Sequence, residues 1–471
     1  MASQLMAGVA RSDSTPPIGI VHANWGAQIH QRARDIDLPL WTTALALSDG
    51  DETVLIIDVD IIGIREPHAS NVIKLISERT GVPEANIRVS ATHTHSGPTG
   101  TGGRASWSTE GTEMVDSYQE QLLYKMAGVA VAALNNMQPA HYWTASGTSK
   151  IAVNRRYSRP GDGAVVVGRN WDGPVDHEVK VLRIDAAGGQ PLAAVVNYAC
   201  HPITVGPDGD LITPDYPGVV KRVVEQATGA TCLFLQGAAG DIGPIRGGAR
   251  NGLNEYKRLG TILGLDASRV WWESEIPERG EKYVGTLESG APLAMYDEDP
   301  IAGGVGKLRI GWHEVQMPLK QLPPPDELDA QFEEHFARLN KLRESGGSEE
   351  DIRRETMLCK RSAMRANLAR QNQGKTHRAL NVQVMALDDD TALVALPGEP
   401  FIGIALQVKE RSPFKHTFFS GYSNAGSSGY IPVASEYARG GYEVEVTPFA
   451  EGAAELLIEG CVEALQKVYA G

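Results

Sequence analysis

His93 and His95, one residue apart, close the run Ile87-Arg88-Val89-Ser90-Ala91-Thr92-His93-Thr94-His95-Ser96-Gly97-Pro98. Neutral imidazole is the commonest biological metal ligand. The run alternates apolar and polar residues like a strand, then stops at the Ser-Gly-Pro turn signal. Residues i and i+2 of an extended chain share a face, so both rings are expected on one side. Such a pair is half of a zinc site, or else two hydrogen-bonded histidines in a polar loop. Two other apolar runs end in the same style. Val195 to Tyr198 leads into Ala199-Cys200-His201-Pro202, and Leu393 to Leu396 leads into Pro397-Gly398-Glu399-Pro400. Potential ligands just past three strand ends fit a catalytic metal site on an α/β sheet, because such sheets bind ligands outside their carboxyl ends.

The sequence resembles the neutral ceramidases. The resemblance rests on seven separated pieces: Ser90 to Pro98, Asn154-Arg155, Asn197 to Pro202, Asp215 to Gly218, Gly240-Asp241, Pro397 to Glu399, and Tyr430 with Tyr442. Their order and rough spacing extend over nearly the whole chain. The resemblance implies one zinc ion held by His93, His201, Glu399 and Tyr430. It also implies that Arg155 faces the active site, as a substrate or oxyanion contact.

One piece departs from the pattern. The ceramide-cleaving members carry Gly-Asp-x-Ser-Pro, with the serine assigned as a nucleophile. This chain reads Gly240-Asp241-Ile242-Gly243-Pro244. Glycine has no side chain to attack a carbonyl or donate a hydrogen bond. Attack by metal-activated water therefore replaces an acyl-enzyme as the expected route. His95 is expected beside the metal as general acid or base, because its reference pKa lies near ~6.5. Tyr442 joins Arg155 in stabilising the oxyanion, and Asp241 orients water or a histidine. The expected activity is amide hydrolysis on a small or N-acylated substrate, ceramidase-like without being a true ceramidase. A metal-dependent esterase or lactonase keeps the same site. A catalytically inactive relative that binds a ligand is the reading from another class.

The totals narrow the partners. With 471 residues the chain can bury a large core. Its formal net charge of −14 argues against nucleic acid, which needs basic patches, and against docking on anionic lipid. No run of ~18 apolar residues is present, so no membrane span or stable membrane anchor is expected. Met1 to Arg11 lacks a charged segment followed by about 7–15 apolar residues, so no secretory signal is expected. Cys200, Cys232, Cys359 and Cys461 are scattered and read as reduced thiols, so a cytoplasmic location is expected.

The elements that must position these residues follow from periodicity. The expected fold is α/β, a mixed central sheet flanked by helices, with the metal site at its strand ends. Residues 1–322 begin the main domain, 323–373 insert a helical hairpin, and 374–471 complete the domain and supply the last ligands. Within the first part, Leu38 to Asp60 reads as a β-hairpin around Ser48-Asp49-Gly50-Asp51. Asp58 and Asp60 end its second strand and read as solvated carboxylates, Asp60 being the better candidate to support a ligand histidine. Helices are expected over 68–80, 116–135, 219–228 and 252–272, with a flexible Gly100-Thr101-Gly102-Gly103-Arg104 loop after the histidine pair. Residues 158–169 read as a Gly-rich turn region and 274–322 mostly as strands. After Leu322-Pro323-Pro324-Pro325, Asp326 to Glu344 and Glu349 to Arg370 form the hairpin. Its charges read as a solvated face, with contact to a second copy of the chain as the sharper reading. The chain ends with strands, a Gly/Ser-rich loop over 423–430 and a helix over 449–469.

Overall fold

The computed structural model describes residues 5–22, 24–25, 27–101, 107–248, 252–275, 282–297, 303–424 and 428–471. The expected glycine loop after the histidine pair lies outside the described residues from Gly102 onward. So do residues 276–281 and 298–302 of the strand-rich region and residues 425–427 of the Gly/Ser-rich loop.

Strict alternation along the first hairpin separates two apolar faces. Ala44, Ala46, Leu55 and Ile57 face one buried cluster, while Leu45, Leu47, Val54 and Ile56 face another. A strand buried on both sides reads as a continuous apolar run. This hairpin belongs to an eight-stranded sheet. Its order is Thr231–Gln236, Pro191–Tyr198, Glu178–Ala186, Gln138–Thr148, Met6–Asp13, Trp41–Ser48, Thr53–Val59 and Ile87–Ala91. The sheet is mixed: the pair at each edge is parallel and the pairs between are antiparallel.

Helices cover only one face of this sheet. His68–Thr80, Val115–Asn135, Asp215–Thr228 and Gly252–Glu273 lie on that side. The other face packs on a second sheet, of order Arg309–Pro318, His377–Ala386, Thr391–Ala395 and His416–Ser420. Leu45, Val195 and Leu233 meet Met385, Leu393 and Phe418 between the sheets. Helix Ala453–Ala470 closes the far side of the second sheet. The protein is thus a four-layer helix–sheet–sheet–helix stack. The mixed sheet flanked by helices is the expected fold, and the second sheet adds a layer where Leu and Ile side chains meet an equally apolar face.

The two sheets are stitched where the histidine run begins. Ala91 N–H donates to the Tyr422 carbonyl at 3.0 Å, and Asn424 N–H donates to the Val89 carbonyl at 2.8 Å. Val89 N–H donates to Asn424 Oδ1 at 2.9 Å, and the Ser90 and Ser423 hydroxyls meet at 2.8 Å.

Two local expectations change. Asp58 and Asp60 are fully buried, and both bind Lys221 Nζ, at 3.1 and 2.7 Å. Lys221 reaches them from helix Asp215–Thr228, so Asp60 braces a helix against the sheet and supports no ligand histidine. Residues 158–169 hold a strand, Val165–Asn170, which pairs with Ala152–Ser158. Three consecutive valines at 165–167 outweigh the glycines before them.

The charged stretches do form two helices, Pro325–Glu344 and Glu349–Asn372, and Ser348 caps the second through the Asp351 amide at 3.2 Å. Their charges do more than face solvent. Arg353 binds Asp208 at 2.7 Å and the Ala27 carbonyl at 2.5 Å. Arg343 donates to the Trp107 carbonyl at 3.3 Å, and Arg361 pairs with Glu445. The hairpin therefore lies over loops of the main body.

Candidate metal centre

The chain leaves strand Ile87–Ala91 through a sharp turn. His93 sits at φ 69°, in the left-handed region, which costs a non-glycine residue about 1–2 kcal/mol. Strand alternation alone therefore does not aim this ring. Backbone contacts hold the turn instead: His93 N–H donates to the Ile61 carbonyl at 2.9 Å, and ring Nδ1 bonds the Ile62 carbonyl at 2.5 Å. His201 is held in the same way, with Nδ1 on the Ala239 carbonyl at 2.9 Å. In each ring an Nδ1–H donated to a carbonyl leaves the Nε2 lone pair free.

Those lone pairs meet. His93 Nε2 and His201 Nε2 are 3.1 Å apart, and His95 Nε2 lies 3.3 Å from the first and 3.2 Å from the second. Glu399 Oε2 lies 3.4 Å from His93 Nε2 and 3.8 Å from His201 Nε2. That oxygen is buried and has no hydrogen-bond partner. A tetrahedral ion with metal–nitrogen bonds of about 2.0–2.1 Å separates its ligand atoms by about 3.3–3.4 Å. The four atoms therefore fit a first-row divalent metal. Facing lone pairs with no proton between them repel, and a cation in their midst removes the conflict. Burial pushes the His95 and His201 pKa values well below the usual range, with neighbouring histidines and Arg155 pushing the same way. Both rings are thus kept neutral, the form that binds metal.

His95 was expected apart from the ligands, as an acid or base. Its Nε2 is as close to the other two as they are to each other, so it could serve as a ligand alongside them. Tyr430 pairs with Glu399 in a short parallel bridge, and its hydroxyl accepts from Arg155 Nη2 at 3.1 Å. Tyr442 packs edge-on against Tyr430, ring centres 5.7 Å apart. Arg155 is thereby placed beside Tyr430. Burial opposes its charge, but Tyr430 and Glu443 outweigh burial and hold its pKa well above the usual value.

Asp241 does not reach the histidines. Its carboxylate accepts from Ile402 N–H at 2.7 Å and from Asn154 Nδ2 at 3.2 Å. It anchors the start of helix Ile402–Arg411, just beyond Glu399. Burial raises its pKa to about 7. A carboxylate with a raised folded pKa lends stability that is full below the unfolded pKa and lost as pH rises through about 7. Thermal unfolding of Asp241→Asn, followed from about pH 4 to about pH 8, is expected to show a shallower decline than wild type.

Three contributors, Glu443, Tyr422 and Trp25, carry no sequence signal. Glu443 binds Arg155 Nε at 2.8 Å and Arg156 Nη1 at 2.7 Å, with both partners buried. The Tyr422 ring lies 4.3 Å from the His93 ring, and Trp25 lies 5.4 Å from His95. Gly240 lets the Glu399 segment approach, since a Cβ there would fall 2.5 Å from the Glu399 carbonyl oxygen.

The sequence pattern of the neutral/alkaline non-lysosomal ceramidase N-terminal region matches residues 5–250. The chain belongs to the neutral/alkaline ceramidase family. The family's neutral ceramidase from Pseudomonas aeruginosa is 22% identical over 98% of this chain and 72% of its own length. Neutral ceramidase B of Dictyostelium discoideum is 26% identical over 46% of this chain, and the match spans only 32% of that relative. The crystal structure of the Pseudomonas aeruginosa neutral ceramidase superposes with a TM-score of 0.70, at 18% identity, over 99% of this chain and 75% of that one. A ceramidase structure described as complexed with C2 gives a TM-score of 0.65 at 17% identity, over 99% and 76%. These likenesses establish the family's mixed α/β fold for this chain.

Proposed function

We propose that the chain is a zinc-dependent hydrolase that cleaves an amide bond of a small or N-acylated substrate. The observation that carries this reading is the convergence of three imidazole Nε2 atoms and a buried, unpartnered carboxylate oxygen. His93, His201 and Glu399 would hold the ion. His95 stands at ligand distance from both histidines, whereas the Tyr430 hydroxyl is engaged by Arg155. His95→Ala is therefore expected to lose more metal than Tyr430→Phe when both are measured by elemental analysis.

A zinc ion bound there supplies an acidified water and a Lewis acid. The rest falls to the chain. Among the described residues, Arg155 Nη1 has no bonded partner, so it is the guanidinium nitrogen left for a substrate oxygen. The Tyr430 hydroxyl lies on the same guanidinium, and the Tyr442 ring packs against Tyr430. Burial pushes the pKa of both phenols up, so both donate as neutral groups. Such donors, fixed before the reaction, favour the oxyanion.

Gly243 shapes the route. It lies in strand Ile242–Pro244, and a Cβ there would sit 3.3 Å from Arg155 Cβ and 3.7 Å from Arg155 Cδ. A serine at this position would thus stand against the Arg155 stem, and this chain has none. We therefore read the reaction as direct attack by water, and ceramide as a poor substrate. Gly243→Ser is expected to fold, because Arg155 has to yield by only a few tenths of an ångström. It is expected to keep its metal and to leave amide turnover at the same order. A large gain in ceramide cleavage would show that the missing hydroxyl is what limits that substrate.

The deciding assay is hydrolysis of matched amides, esters and lactones before and after chelation and zinc return. Amide cleavage that stops and recovers supports the proposal. Cleavage confined to the oxygen esters would make the chain an esterase or lactonase. Full metal with no turnover on any of them would favour a binding role.

A further inference from the structure

Two cations flank the metal centre with no acid to pair them. Lys360, on the second helix of the hairpin, is partly buried and donates to the Asn24 carbonyl. The Asn24 side chain in turn donates to the Gly97 carbonyl at 2.8 Å, in the loop that follows His95. Lys360 Nζ also lies 5.7 Å from the centre of the Trp107 ring. Arg65, an exposed residue near enough to Lys360 to repel it, comes three residues after the Ile62 carbonyl that holds His93. Its N–H is bound to the Thr101 carbonyl at 3.0 Å. Among the described residues neither side chain has a carboxylate within ion-pair distance. Unpaired cations beside a site are unexpected in a chain of net charge −14, where acids are in excess.

Resting on the hydrolase reading above, we propose that the substrate carries an anionic group, which Lys360 and Arg65 receive while the scissile bond lies at the histidines. The electrostatics agree. Burial brings the Lys360 pKa down to about 7, Arg65 pushes it further down, and Glu399 pulls it back. An arriving anion relieves both the burial of the ammonium and its repulsion by Arg65. The hairpin thereby acts as the specificity element: Lys360 is the charge it brings against the loop that follows His95. A carboxylate, as in an N-acyl amino acid, and a phosphate ester share this chemistry.

The test pairs binding with turnover on the intact, zinc-loaded chain. Calorimetry compares N-acetylglycine, inorganic phosphate and uncharged N-ethylacetamide on wild type, Lys360→Met, Lys360→Arg and Arg65→Gln. The anions are expected to bind wild type more tightly than N-ethylacetamide, and the preferred anion names the source. Lys360→Met is expected to weaken anion binding ~10-fold or more, as for a lost charge-assisted hydrogen bond. Lys360→Arg is expected to restore most of it, which a merely structural lysine would not show. An anion held only by the metal would bind Lys360→Met and Arg65→Gln as it binds wild type, and that result would overturn the proposal. Hydrolysis separates the two readings. Cleavage of neutral amides in preference to their carboxylate counterparts would overturn the anion site alone. Anion binding lost in Lys360→Met, with no hydrolysis of any substrate, would keep the anion site and remove the hydrolase.

Discussion

His201→Ala is expected to purify folded, without its metal ion, and with amide hydrolysis reduced at least ~10³-fold, since a catalytic metal contributes several kcal/mol of transition-state stabilisation. The size of the effect follows from the geometry. His201 Nε2 lies within 3.2 Å of both other imidazoles and within 3.8 Å of Glu399 Oε2, so its removal opens the ligand shell at its centre. Its Nδ1 anchor, the Ala239 carbonyl, belongs to a backbone turn that the substitution leaves in place. The fold should therefore survive, because the ring's buried neighbours are other polar site groups and little apolar packing depends on it. Elemental analysis reads the metal and a chelator-controlled assay reads turnover. His93→Ala should behave alike. A metal-free His201→Ala that hydrolyses amides at the wild-type rate would remove the ion from the mechanism.

The second large effect is on stability. Glu443→Ala is expected to destabilise the protein by about 3–5 kcal/mol, the usual range for stranding a buried charge. Glu443 bridges two guanidiniums that are themselves 3% and 1% exposed. Arg156 keeps a second partner in Glu436 at 2.6 Å, whereas among the described residues Arg155 keeps only the neutral Tyr430 hydroxyl. The uncompensated charge therefore falls on Arg155, and its guanidinium should leave the position facing the site. Denaturant melts measure the stability, and turnover in the folded fraction measures the loss of the oxyanion donor. Glu443→Gln, which keeps the shape, should lose less stability. An unchanged melting midpoint in both variants would show that the pair of arginines is solvated in solution.

Much of the centre is legible in the sequence because its ligands end apolar strands. Runs such as Val195 to Tyr198 announce a buried strand, and the histidine or carboxylate just past each run then has few places to go. The residues that escape are those whose partners lie far along the chain. Glu443 meets Arg155 across 288 positions and Lys221 meets Asp60 across 161. No local period encodes such contacts, and a lone Glu or Asp looks like a surface residue until its neighbour is known. Asp241 misled for the same reason: a carboxylate after a small-residue turn suits a catalytic acid and a helix anchor equally well. The second sheet escaped because an apolar strand face states that it is covered, not by what.

The stitching of strand Ile87–Ala91 to the segment around Tyr422 gives the site a property of a gauge. His93 and His201 ride on the large sheet, and Glu399 follows a strand of the small one. Each residue of slip along a strand displaces its side chain by about 3.3 Å and turns it to the other face. A slip of a single residue at the seam would thus carry the carboxylate out of range of any ion the histidines could hold. An ion held there would report the relative register of the two sheets, so substitutions in the seam, at Ser90, Ser423 or Asn424, should be readable as metal loss although none of the three is itself a proposed ligand.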